Sequence, residues 1–272
     1  MSYWCRSFGV SRQGYYKHNH AQTKREDRQI NLLLAVREIR QRHPKMGVLK
    51  LREKLQSHPD IVGRDQLYNL LRSHGMLVRM PRNRRRTTNS NHLYRKYPNL
   101  LLRKKVVRPM QVWVSDITYV EVDGKCQYLS LITDLYSKKI VAAVLAKDLA
   151  ARNTLRALKE AIAREGAPEM HHSDRGIQYC CHAYIACLEK HKIKISMTQS
   201  GDPRDNAVAE RVNGILKNEY IYPYLENGIP AKTVVGYAQE TYNDDRPHLT
   251  LELKTPNVIH KSSTLSRKKN EM

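Results

Sequence analysis

Gln111-Val112-Trp113-Val114-Ser115-Asp116-Ile117-Thr118-Tyr119-Val120-Glu121-Val122, closed by Asp123-Gly124, is the stretch that decides the fold. Val112, Val114, Asp116, Thr118 and Val120 point one way, and Trp113, Ile117 and Tyr119 the other, which is the period-two pattern of a strand. Asp-Gly is a strong two-residue hairpin turn. Lys125–Leu135 therefore reads as a returning strand and Lys138–Leu145 as a third, both rich in Ile, Val, Leu and Tyr. Ala150–Glu165 carries Leu155, Leu158 and Ile162 at helical spacing and is stopped by Gly166 and Pro168. A short strand ending at Asp174, a helix over Tyr179–Lys190, a strand over Lys192–Met197 and a helix over Pro203–Tyr220 follow, with a further helix over Val234–Asn243. The order β-β-β-α-β-α-β-α predicts an α/β fold, a mixed sheet flanked by helices.

Outward from that strand the charge is uneven. The 272 residues hold 48 Lys+Arg against 26 Asp+Glu, a net charge of +22. No acid occurs from Gln66 to Ser115, while Arg72, Arg79, Arg82, Arg84, Arg85, Arg86, Arg95, Lys96, Arg103, Lys104, Lys105 and Arg108 all fall there. Such a run repels itself unless a polyanion neutralises it, so nucleic acid is the expected partner. With 40% hydrophobic residues the chain can fill a sizeable core, which argues against disorder. No apolar run reaches the roughly 18 to 20 residues of a bilayer span; Leu129–Ala146 is broken by Asp134, Lys138 and Lys139. There is no secretory h-region, and five cysteines suit a reducing cytosol, so the expected location is cytoplasmic, at the nucleoid when on DNA.

Before the basic run the pattern is helical. Glu26–His43 has Ile30, Leu33, Leu34 and Ile39, and Ser11 can cap a separate short helix reaching Lys17. Val48–Leu55 and Arg64–Ser73, bounded by Gly47, Gly63 and Gly75, suit a small all-α helix-turn-helix whose second helix presents Arg64, Gln66, Asn69 and Arg72.

Three acids sit where chemistry wants them. Asp116 is mid-strand among apolar neighbours, Asp174 ends a strand before Gly176, and Glu210 shares a helix face with Asn206, Asn213, Gly214 and Lys217. Clustered carboxylates repel and persist when divalent cations neutralise them, and an all-oxygen set favours Mg²⁺ or Mn²⁺. Two such ions serve in-line phosphoryl transfer. Lys217, two turns beyond Glu210, can hold a DNA phosphate beside them.

Thirty-five residues separate Asp174 from Glu210, and fifty-seven separate Asp116 from Asp174. This resembles the D-D-35-E signature of the DDE transposase and retroviral-type integrase superfamily, which has a ribonuclease H-like fold. Further motifs sharpen the resemblance: Trp113-Val114-Ser115-Asp116-Ile117-Thr118-Tyr119, His172-Ser173-Asp174-Arg175-Gly176-Ile177-Gln178-Tyr179, Asp205-Asn206-Ala207-Val208-Ala209-Glu210 with Leu216-Lys217-Asn218-Glu219, and Tyr242-Asn243 through Arg246-Pro247-His248 to Thr255-Pro256. Over roughly residues 30 to 260 the chain is similar to the OrfB portion of bacterial insertion-sequence transposases of family three. Arg211–Gly214 departs from the small or aromatic residues many relatives carry.

The resemblance implies that Asp116, Asp174 and Glu210 are the catalytic metal ligands, with two Mg²⁺ or Mn²⁺ ions, and that Lys217 is the basic residue after the glutamate. It implies cleavage of element ends by water and transfer of the freed 3′-hydroxyl to another strand. The partners would be double-stranded DNA (terminal inverted repeats and target), further copies of the chain assembled on it, and an upstream OrfA product, joined by frameshift or separate. Asp134 matches a recurrent acid near the end of the second strand. The expected organisation is a helical fragment at 1–20, the helix-turn-helix at 21–80, a basic linker at 81–105, the catalytic core at 106–225 and a C-terminal helix with basic tail at 226–272. DNA contacts are expected at Arg64, Gln66, Asn69, Arg72, Arg82, Arg84, Arg85, Arg86, Lys104 and Lys105. Rival readings are a catalytically inactive DNA-binding regulator and a ribonuclease H-like nuclease without joining activity. Cys180, Cys181, His182, Cys187 and His191 read as ordinary residues rather than a zinc site, because adjacent helical cysteines diverge by about 100° and no CxxC pair occurs. His172-Ser173-Asp174, being sequence neighbours, do not form a hydrolase triad.

Overall fold

The computed structural model describes residues 2–79, 92–102, 104–199 and 206–262, and the chain divides into two compact units, Met1–Arg79 and Met80–Met272. Arg82, Arg84, Arg85 and Arg86 lie outside the described residues.

In the first unit α1 (Ser2–Ser7) precedes α2 (Arg12–Arg42), α3 (Val48–Lys54) and α4 (Arg64–Ser73). Ser11 does cap, its Oγ accepting from Gly14 N at 3.0 Å, but the helix it starts does not end near Lys17. It runs 31 residues across residue 20, because nothing from Tyr15 to Arg42 is Gly or Pro. Its buried stripe is Leu32, Leu33 and Val36, whereas Ile30 and Leu34 face solvent. Leu51 and Leu55, and Leu67, Leu70 and Leu71 of α4, close a small core with that stripe. Arg64, Gln66, Asn69 and Arg72 are exposed on α4, and Arg64 Nε donates to the Asp65 carboxylate at 2.8 Å.

The second unit is built on a five-stranded sheet of order β3-β2-β1-β4-β5, with β1 Val112–Val122, β2 Lys125–Asp134, β3 Ile140–Ala146, β4 Met170–Ser173 and β5 Lys194–Met197. β1, β2 and β3 pair antiparallel, and β4 and β5 join in parallel. At the β1–β2 hairpin Asp123 and Gly124 both have positive φ, 52° and 70°, as a type I′ turn requires. The alternation of β1 sends its residues into two different cores. Trp113 packs with Leu158 and Ala161 of α5 (Ala151–Glu165) and with residues of α6 (Ile177–Cys180) and α7 (His182–Lys190). Val120 and Val122 pack on the other face, with Val212, Leu216, Tyr220, Val235 and Tyr242.

Two expected helices differ in detail. That over 179–190 is broken at Cys181, whose backbone is extended (φ −67°, ψ 149°), into α6 and α7. That ending at Tyr220 instead passes from α8 (Ala207–Ile215) through a widened π turn, Leu216–Ile221, into α9 (Tyr222–Leu225). Pro223 explains the widening: it has no N–H, and its ring would strike the Glu219 carbonyl in a regular α turn.

The segment after residue 225 completes the core. On α10 (Ala231–Asp244), Asn243 accepts from Ile140 N through Oδ1 and donates to Ile140 O through Nδ2, both at 2.9 Å, and so covers the start of edge strand β3. The linker's far end also docks: Pro98 O accepts from Met197 N at 3.2 Å and Leu100 N donates to Ser196 Oγ at 2.9 Å. Among the described residues, no helix is long and apolar enough to cross a membrane.

Asp134 is fully buried and holds the β2–β3 turn, accepting from Met110 N, Ser137 N and Ser137 Oγ, each at 2.8 Å. Ser137 Oγ lies 2.9 Å from His260 Nδ1. Beyond it, His260 Nε2 is 3.5 Å and Lys139 Nζ 2.7 Å from Glu165. His260, then Lys139, pull the Glu165 carboxyl down to about 2 against the opposing effect of burial. A depressed acid stabilises the fold above its unfolded value, about 4.3, and loses that contribution as pH falls towards 2. Glu165→Gln should therefore melt below wild type at pH 7, and the gap should shrink as pH falls from about 4.3 and close towards about 2; a gap independent of pH would refute the ion-pair account.

Candidate active site

Asp116 and Asp174 are brought together by strand register. β4 runs parallel to β1 with Val114 opposite His172, so two residues further on Asp174, just past the end of β4, falls beside Asp116. Asp116 stands on the face of β1 that α8 covers, with both carboxylate oxygens engaged: Oδ1 accepts from Ile117 N at 2.9 Å and Oδ2 from Asn213 Nδ2 at 2.7 Å. A nearby cation that feels its charge is Lys217. Burial, then the charge of Asp174 and more weakly that of Glu210, push its carboxyl up to about 7.

Asp174 is oriented by its own loop. Its Oδ1 accepts from Gly176 N at 2.9 Å, and His92 Nε2 lies 2.8 Å from the Arg175 carbonyl. A Cβ at position 176 would stand 3.0 Å from Asp174 Oδ1 and 3.2 Å from Gln178 Oε1, so glycine is what lets the carboxylate fold back onto the loop. Gly176→Ala should shift that carboxylate by a few tenths of an ångström and slow strand cleavage about tenfold, since a 1 Å misplacement can cost about a hundredfold. Unchanged cleavage kinetics would count against this loop's role.

Glu210 lies exposed in the first turn of α8. Its helix is fixed to β1 by three polar side chains: Asn206 Nδ2 donates to Ser115 O at 3.0 Å, Asn213 to Asp116, and Lys217 Nζ to Tyr119 O at 3.2 Å. Lys217 is half-buried; burial lowers its pKa while the charge of Asp116 raises it. Beneath the acids, His171 Nε2 is 2.7 Å from Ser115 Oγ and 3.0 Å from Tyr184 OH, and burial with the neighbouring His172 drops its pKa to about 3, so it is neutral. His172 Nδ1 lies 2.9 Å from Ser196 Oγ.

Among the described residues, no three His, Cys, Asp or Glu side chains stand close enough to share an ion as placed. Asp116 and Asp174 are adjacent, and Glu210 acts more weakly on Asp116. Of the sulfurs, Cys180 is 3.7 Å from Met197 Sδ in the core, and Cys187 is buried. Lys104 pairs with Glu169 at 3.1 Å, and Lys105 is exposed.

Two integrase core domain families match the chain, over residues 106–203 and 191–256. A 31 kDa protein of insertion element IS600 from Shigella sonnei is 37% identical over 255 residues, 91% of this chain and 93% of that protein. The chain belongs to the insertion-sequence transposases of family three. The transposase InsF for insertion sequence IS3A of Escherichia coli (strain K12) is 34% identical over 144 residues, 52% of this chain and 50% of that one. Among solved structures, the HTLV-2 integrase catalytic core domain in complex with magnesium aligns with a TM-score of 0.51 at 22% identity, covering 57% of this chain and 99% of that one. A chain of the simian T-cell lymphotropic virus intasome aligns with a TM-score of 0.54 at 22% identity, covering 79% and 70%. These share the ribonuclease H-like fold.

A divalent metal belongs to the chemistry of this family, and the transposase has a donor set that fits one. The acids are oxygen donors, which suit Mg²⁺ or Mn²⁺. Asp116 carries like charge beside it, and the cation that feels its charge, Lys217, is half-buried with its ammonium donating to Tyr119 O. Asn206 Oδ1 and Asn213 Oδ1, on the two side chains that reach Ser115 and Asp116, are buried without a partner among the described residues.

Neither asparagine was singled out by sequence for a task, although both share the Glu210 face. Glu219 and Arg246, quoted above within motifs, meet each other: Arg246 Nε and Nη2 donate to Glu219 Oε2 and Oε1 at 2.7 and 2.8 Å, with both side chains under 10% exposed.

Proposed function

We propose that this transposase cleaves and joins DNA strands at the ends of an insertion sequence, with Asp116, Asp174 and Glu210 as the ligands of two divalent ions, Mg²⁺ or Mn²⁺. The observation that carries this is the convergence of the Asp174 and Glu210 charges on a partly buried Asp116 whose carboxyl is raised to about 7. Acids so arranged are costly to the fold unless a cation joins them. When bound, the ions would polarise the scissile phosphate and activate the attacking oxygen, water in cleavage and a 3′-hydroxyl in joining.

The protein's own side chains supply the rest. Asn213 and the Ile117 amide fix the plane of the Asp116 carboxylate, and Gly176 lets Asp174 fold back against its loop. Glu210 completes the set by swinging inward from the first turn of α8. The Lys217 ammonium, held half-buried beside Asp116, anchors a phosphate at the edge of the site. The exposed cations of α4, Arg64 and Arg72, with Gln66 and Asn69, Lys104 and Lys105, and the run at Arg82, Arg84, Arg85 and Arg86, bind the duplex. Pairing two element ends calls for more than one copy on the DNA.

Incubation with Mg²⁺ and a duplex oligonucleotide bearing the inverted repeats that flank the reading frame tests this. Joined products are expected. Nicked but never joined products would indicate a nuclease, and binding without cleavage a regulator; either result overturns the reading.

A further inference from the structure

We infer that Asn206 and Asn213 are positioning residues: they set the register of α8 on β1 so that Glu210 faces Asp116, and their free oxygens receive water held around the bound cation. This rests on the metal-ligand reading above. Residues 206, 210 and 213 are spaced by four and three, so they share one face of a helix. The two asparagines bracket Glu210, and each makes one bond to β1, to Ser115 O and to Asp116 Oδ2, on consecutive residues of the strand.

Asn206 is unusual for its place. It occupies the N-cap of α8, yet its side chain makes no capping hydrogen bond and reaches across to the strand instead. Its amide is thus committed to aligning two elements and does not satisfy its own helix. The orientation of each amide follows from its partner: a carbonyl and a carboxylate oxygen both demand a donor, so Nδ2 faces the strand and Oδ1 is the atom left over.

Both leftover oxygens are buried with no partner among the described residues, in residues 8% and 3% exposed. A buried acceptor without a donor is costly, and two on side chains bonded to Ser115 and Asp116 point to donors that arrive with the cation. Water on a divalent ion supplies such donors, and amide oxygens receive them without adding a further negative charge. Aspartate in either place would add that charge, and serine is too short to span to β1.

The experiment is a Mn²⁺ titration of the full chain followed by the paramagnetic resonance of the free ion, run beside DNA binding and thermal melting. The variants are Asn206→Ala, Asn213→Ala and Asp116→Asn, with Asn206→Ser and Asn213→Ser replacing any alanine variant that melts early. Each asparagine variant should bind Mn²⁺ about tenfold more weakly with DNA affinity unchanged. Its strand cleavage should recover at high Mn²⁺, whereas that of Asp116→Asn should not. Wild-type Mn²⁺ affinity in both asparagine variants, with Asp116→Asn unable to bind, overturns this inference alone. Undiminished Mn²⁺ binding by Asp116→Asn overturns the metal-ligand reading and this inference with it.

Discussion

Asp116→Asn is expected to reduce strand cleavage and joining by about a thousandfold or more, the equivalent of several kcal/mol of lost transition-state stabilisation. DNA affinity should stay near wild type, because Asp116 is an acid that contributes no cation to phosphate binding. Stability should move in the opposite direction from activity. In metal-free buffer at neutral pH or above, the ionised Asp116 sits partly buried beside Asp174 and Glu210, a charge the unfolded chain exposes to water. A folded-state pKa raised to about 7 means that ionisation costs the native state stability above the unfolded value, so the neutral isostere should melt higher. Mg²⁺ should then raise the melting temperature of wild type and leave that of the variant unchanged, since only a ligand that binds the native state stabilises it. A variant that loses activity together with melting temperature would show a damaged fold and refute this account.

The second large effect concerns the other acid of the α8 region and has the reverse signature. Glu219→Ala should destabilise the fold by about 3 to 5 kcal/mol, because it leaves the Arg246 guanidinium buried without its counter-charge. Arg246 also has His248 Nε2 3.1 Å from Nη1 and the Tyr242 ring at 5.7 Å, and neither neutralises it. For a unit of this size that corresponds to a fall in melting temperature of about 10 °C or more. Replacing both partners with apolar residues of similar volume, Glu219→Leu with Arg246→Met, should recover most of the loss, because the desolvated charge leaves with its partner. Calorimetry of the two single variants and the double variant decides the matter; additive losses would mean that the pair is not a unit.

These two acids illustrate how far a sequence can be read. Asp116 was legible because a carboxylate in mid-strand contradicts its apolar surroundings, and a local contradiction points to function. Glu219 lies nine residues after Glu210 in an equally distinctive motif, and nothing local told the proposed metal ligand from a structural ion pair. Arg246 is twenty-seven residues away along the chain, and only folding brings the two together. Asp134 is a similar case: the family pattern marks it, and its hydrogen bonds make it the anchor of a turn. The helix at α2 shows the complementary failure. Apolar spacing suggested Ile30 and Leu34 for its buried face, but α3 and α4 cover the turn that carries Leu32, Leu33 and Val36, and which stripe is covered is decided by the neighbours.

The order of strands and helices and the hairpin at Asp123-Gly124 were written in the chain itself, as was the spacing of the three acids proposed for the site. Period-two alternation, turn chemistry and fixed motif spacing are local properties, expressed over a few residues whatever the rest does. The tertiary structure alone decided which acid faces which neighbour: that Asn206 and Asn213 fasten the Glu210 helix to the Asp116 strand, that Glu219 is bound to Arg246, and that Asn243 covers the edge of β3. Each of these is a contact between residues at least twenty-seven positions apart in sequence. Such contacts depend on the packing angle and register of whole elements, quantities that no single stretch of residues contains.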